Sequence, residues 1–183
     1  MPNATLPPSP GREDFETLMA AIEEMATVGL AEDGAVSPMI LLLLDPAAAP
    51  EGIPKGATPV VVLPVGELQS DELGDAGKDA VMQLLSNSAR RPEVRIAAHL
   101  TEAWIVTGPA ATSAPKGRSI SSHPQREEVV LANMLSADVQ AMAMWRMVRE
   151  DGKVRLAGRG ELKFLGKEAE YSGRFIRPRP KGH

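Results

Sequence analysis

The chain has 183 residues, 43% apolar and 24% charged, the values of one ordinary globular domain with room for a core. Its formal charge of −4 arises from 24 acidic and 20 basic residues mixed along the chain, so no field draws the whole molecule to nucleic acid or anionic lipid. Cysteine is absent, which excludes disulfides, thiolate catalysis and cysteine-ligated metal centres, and an aromatic content of 3% removes the stacking platforms of single-strand binders.

Residues 1–11 hold four prolines among small polar residues and predict a flexible arm without the basic and apolar regions of a secretory leader. Phe15, Leu18, Met19, Ile22, Met25 and Ala26 then recur at three- and four-residue steps. This spacing predicts an amphipathic helix of roughly four turns, stopped by Gly29 and Gly34. "SPMILLLLDP" and "TPVVVLPV" read as strands, with prolines near their ends where a missing amide donor is tolerated. "MILLLL" is too short to cross a bilayer, and a soluble cytoplasmic protein is expected. The connector "DPAAAPEGIPKGA" is too long for a tight hairpin and is expected to be a mobile flap.

Ser70 is placed to cap a second helix, whose expected face is Leu73, Ala76, Gly77, Ala80, Val81 and Leu84. Arg90 and Arg91 suit its negative end, and Pro92 forbids continuation. From Val94 the period becomes two, with Val94, Ile96, Ala98 and Leu100 on one face and Arg95, Ala97, His99 and Thr101 on the other. Further strands are expected over residues 127–135 and 139–149, followed by a hairpin at Asp151-Gly152. Val154, Leu156, Leu162 and Phe164 should then face inward, with Gly158 and Gly160 marking a bulge or bend. The order α-β-β-α-β-β-β-β predicts a single α+β domain over residues 12–171: a mostly antiparallel sheet of about six strands with both helices on one side. Residues 172–183 form a basic tail.

Several familiar motifs fail on their context. "SAPK" has the Ser-x-x-Lys spacing, but Pro115 opposes the helical turn that would bring lysine to serine. "GRGELK" carries Lys163 where a dinucleotide-binding turn needs its third glycine, and it lies within an alternating strand. "GKD" lacks the rest of a phosphate loop. Neither metal nor cofactor is expected.

One constellation remains. Glu102 shares the alternation of Leu100, Trp104 and Val106, a row expected to point inward, where an ionised carboxylate needs a partner. If the strand before the loop pairs antiparallel with the strand after it, the loop returns His123 and Arg126 towards Thr107 and Glu102. Two readings follow. Glu102, His123 and Glu127 or Glu128 form an acid–base site, with Arg126 and Trp104 binding a ligand. Alternatively, Arg126 satisfies Glu102 as a structural ion pair.

"TEAWIV", a small-residue loop and "SSHPQREEVVL" resemble a pattern in uncharacterised bacterial and phage- or plasmid-associated proteins. The resemblance covers residues 94–151. It implies a shared fold and a shared site around Glu102, Trp104, His123, Pro124, Arg126 and Glu127, with no reaction attached.

Two features point to partners. In "VQAMAMWRMVR", Val139, Ala141, Ala143, Trp145 and Met147 form one face and Met142, Met144 and Val148 the other. This fits either a central strand covered on both faces or a strand with one face against a second copy of the chain, and the second copy is the expectation. The tail's Arg174, Arg177, Arg179 and Lys181 suit weak, salt-sensitive phosphate contacts, although nucleic acid is not the expected partner. The leading expectation is a non-enzymatic binding or accessory module, probed against two rivals: an acid–base hydrolase and a tail-driven nucleic-acid binder.

Overall fold

In the computed structural model, which describes residues 9–54, 56–69, 72–107 and 123–165, a long helix precedes the sheet. Helix α1 spans Arg12–Glu32, and strands β1 (Met39–Leu44) and β2 (Val60–Pro64) follow. Helix α2 (Gly74–Ser88) leads into β3 (Val94–Ile105), β4 (Glu127–Leu135), β5 (Gln140–Glu150) and β6 (Lys153–Leu165). All neighbours pair antiparallel in the order β2-β1-β3-β4-β5-β6. The α+β class, the six strands and the element order match the sequence reading.

The side on which the helices lie does not match. Successive strand residues point to opposite faces, and β1 contributes to two separate cores. Leu41 and Leu43 pack with α1 residues Phe15, Leu18, Ile22, Ala26 and Leu30. Ile40, Leu42 and Leu44 pack with Val81, Leu85 and Ala89 at the other helix. The two helices therefore cover opposite faces of the sheet, and β1 is buried on both. The larger core runs under α1 through Ile96, Ala98 and Leu100 of β3, Val130, Ala132 and Met134 of β4, and Ala141, Ala143 and Trp145 of β5.

Helix α1 is longer than its expected four turns because Gly29 does not stop it. The chain returning after the helix brings the Ala35 carbonyl within 3.2 Å of where a Cβ on residue 29 would stand. A side chain there would press on that carbonyl, and the helix runs on to Glu32, two residues before Gly34, whose φ of +69° is left-handed. At the other end, the Asp14 carboxylate accepts from the Gly11 backbone N–H at 2.8 Å and meets the Arg95 guanidinium of β3 at 2.8 Å. One carboxylate both caps the helix and ties it to the sheet.

Helix α2 is rotated from its expected face. Gly77, Val81, Leu85 and Ser88 are buried, whereas Leu73 and Leu84 are exposed. A Cβ on residue 77 would stand 1.8 Å from the Leu68 carbonyl oxygen, so the glycine admits the short 3-10 helix Gly66–Gln69 rather than the sheet. The expected cap, Ser70, lies outside the described residues. So do residues 1–8, most of the β3–β4 loop and the basic tail. The β1–β2 connector contains another 3-10 helix, Pro46–Ala48, in which the Asp45 side chain accepts from the Ala47 N–H at 2.8 Å.

The β5–β6 hairpin turns at Asp151 and Gly152, with φ values of 52° and 75°, as a two-residue primed turn requires. The expected irregularity in β6 is present: Gly158 has φ +76° and the register shifts between Met144 and Arg146. Gly160 leaves room for the indole of Trp145, since a Cβ there would meet Nε1 at 2.3 Å. Among the described residues no helix is long and apolar enough to cross a membrane.

Candidate functional site

Strands β3–β6 run past the end of α1, and that overhang decides the character of the constellation read from the sequence. Leu100 is sealed beneath the helix, but Trp104, four residues further along the same face, is 42% exposed. The row does not stay inward because the helix covering it has ended.

Glu102 lies at the boundary. Its Oε1 accepts from the backbone N–H of Val36 at 2.7 Å. Val36 is buried in the segment between α1 and β1, so this bond satisfies an amide that the helix has released and no strand has taken up. The partner of Glu102 is therefore a backbone amide and not Arg126, which corrects the ion pair offered by the second reading.

Arg126 instead lies over Trp104, its guanidinium carbon 4.8 Å from the ring centroid, within cation–π range. Its Nη1 donates to the His123 carbonyl at 3.3 Å. The turn carrying both residues is closed by the Arg126 N–H donating to the same carbonyl at 3.2 Å and by the Gln125 N–H donating to His123 Nδ1 at 3.1 Å. That second bond marks Nδ1 as an acceptor.

The three acid–base candidates are not gathered at one point. In the β3–β4 register Glu102 stands opposite Val130, and the last pair is Ile105 with Glu127. Glu102 is thus three residues, about 10 Å, inside the strand end, while His123 sits in the turn beyond that end. Glu127 projects from the face opposite Glu102, where it meets Arg146 at 3.1 Å and accepts from Thr107 Oγ1 at 3.3 Å. Its neighbour Glu128 shares the face of Glu102 and Trp104 and receives two hydrogen bonds from Arg149. These bonds hold the Glu128 carboxyl below its usual range and raise the Arg149 guanidinium. The exposed end thus presents an indole with a stacked guanidinium, flanked by a bidentate ion pair. Among the described residues, no three histidine or acidic side chains converge as a metal site requires.

A second polar cluster, on the α2 face, escaped the sequence reading. His99, on the β3 face opposite Leu100, is 5% exposed, because that face is covered too. Gln69 Nε2 lies 2.8 Å from His99 Nε2. The amide nitrogen only donates, so the imidazole nitrogen accepts and the ring proton resides on Nδ1. Burial pushes the His99 pKa down to about 4. Its cross-strand partner is Asn133, and His99 Nδ1 and Asn133 Oδ1 are both buried without a hydrogen-bond partner among the described residues. The signal for this was "IAAHL": a histidine inside an otherwise apolar strand points to cover on both faces.

On the α1 face, Trp145 is fully buried and its Nε1–H donates to Glu23 Oε2 at 2.8 Å. Comparisons of the chain with protein-family models, with curated proteins and with solved structures found no significant match.

Proposed function

We propose that this protein is a non-enzymatic binding module that takes a protein partner at the overhanging end of its sheet. The observation that carries this reading is the exposed Trp104 with Arg126 stacked on it. Tryptophan and arginine dominate the few positions that supply most of the free energy of protein interfaces. A ring held rigidly on a strand loses little freedom when it is covered. The alternative acid–base reading has less support, since Glu102 is engaged by the Val36 amide, Glu127 by Arg146, and His123 by its own turn.

The test is selection of a displayed random peptide library against the wild-type protein and against Trp104→Ala. Peptides that bind the wild type and lose binding to the variant, with the thermal midpoint unchanged, are expected. If every selected peptide binds both proteins equally, the interface lies elsewhere.

A specific observation also favours self-association. On the face turned away from α1, Leu131, Met142 and Val148 remain half-buried rather than sealed, a row a second copy would cover. Light scattering should give twice the 19.5 kDa chain mass. A mass of one chain across the working concentration range removes the dimer.

A further inference from the structure

We infer that the partner presents a carboxylate beside an apolar side chain, as an acidic protein segment does, and that Arg126 receives the carboxylate above Trp104. This rests on the binding reading above and names the chemistry that the same site selects.

The argument is one of charge pairing at this end of the sheet. Arg146 meets Glu127 at 3.1 Å, Arg155 meets Glu150 at 3.1 Å, and Arg149 is held by both oxygens of Glu128. Arg126 differs: among the described residues it meets no carboxylate, and its side chain donates only to the His123 carbonyl. A guanidinium offers five donors in a flat fork that matches a carboxylate's two oxygens. The cation–π contact with the indole and the bond to the His123 carbonyl restrain the Arg126 side chain, so less freedom is lost when a ligand arrives. The exposed part of Trp104 supplies apolar contact area directly beside it.

The same pairing decides between carboxylate and nucleic-acid phosphate. Glu102, Glu127, Glu128 and Glu150 all belong to this end, and among the described residues three of them pair with Arg146, Arg149 and Arg155. Nucleic-acid affinity requires several cations to displace counterions from successive phosphates. Among the described residues, one arginine without a carboxylate partner, standing among four glutamates, suits a single monoanion better than a polyanion, which those glutamates repel.

The experiment uses the peptides selected in a Trp104-dependent manner. They should carry Asp or Glu next to an apolar residue. Replacing that acid by its carboxamide should weaken binding about tenfold, the loss of one charge-assisted bidentate contact. Arg126→Gln should cause the same loss, and the carboxamide peptide should lose nothing further on that variant. Trp104-dependent peptides that lack acids, or that bind Arg126→Gln as tightly as wild type, overturn the inference while the binding reading stands. Absence of any Trp104-dependent peptide overturns the reading itself. A fluorescein-labelled single-stranded DNA oligonucleotide that binds at physiological salt and is released by Arg126→Gln would overturn the carboxylate in favour of phosphate.

Discussion

Trp145 organises the α1 face from below. Its indole is fully buried, yet it carries an N–H that cannot be left unpaired without cost. Glu23 reaches across from α1 to accept that proton, and Gly160 leaves the space in which the ring lies. Glu23→Leu should therefore destabilise the fold by about 1–3 kcal/mol, and Glu23→Gln, which retains an acceptor, by clearly less. Urea unfolding of the two variants checks this; equal losses would mean that the bond contributes nothing beyond packing. The alternation of β5 placed Trp145 on one face with Ala141, Ala143 and Met147, but, both faces being apolar, it did not tell which one the helix covers. Its bond to Glu23 was not legible, because the residues are 122 positions apart and a glutamate on a helical surface reads as solvated. The stacking of Arg126 on Trp104 was partly legible: both were marked as ligand-binding from the turn between two adjacent strands, but nothing in the sequence specified that they touch.

Element lengths decide what each face exposes. The period-two pattern after Val94 made the strands legible to within a residue or two, and the spacing in α1 made its start and its buried face legible but not its length. The packing sides were misjudged for a physical reason. "MILLLL" is apolar at every position, and such a run signals cover on both faces; that signal, used here only to identify a strand, also specified helices on opposite sides. The rotation of α2 has a similar origin. Gly77 does lie on the buried side, but what it contacts is the 3-10 helix before it, a local element that no periodicity announces. Glu102 is the joint between elements, because it completes the hydrogen bonding of the chain leaving α1. Glu102→Leu should cost about 1–3 kcal/mol by stranding the buried Val36 amide, whereas Glu102→Gln should be nearly neutral. Thermal denaturation separates these outcomes, and a neutral Glu102→Leu would release the carboxylate from its structural role.

For the whole molecule, the cover on both faces makes stability depend on pH through His99. Its folded pKa of about 4 lies below the usual value of 6.5, so the folded state holds fewer protons between them. The contribution is complete above pH 6.5 and is lost as pH falls towards 4. Wild type should lose about 2 kcal/mol more than His99→Leu between pH 7 and pH 5, measured by urea unfolding at each pH. Parallel profiles would show that this imidazole is accessible to protons without unfolding.

The overhang itself is tested most directly by the two tryptophans, which serve as independent reporters of the same face. Acrylamide quenching of Trp145→Phe reports Trp104 alone, and quenching of Trp104→Phe reports Trp145 alone. A sheet that outruns its helix predicts steep quenching of Trp104 and near-complete protection of Trp145. Equal slopes, or strong quenching of Trp145 in the folded Trp104→Phe protein, would contradict it.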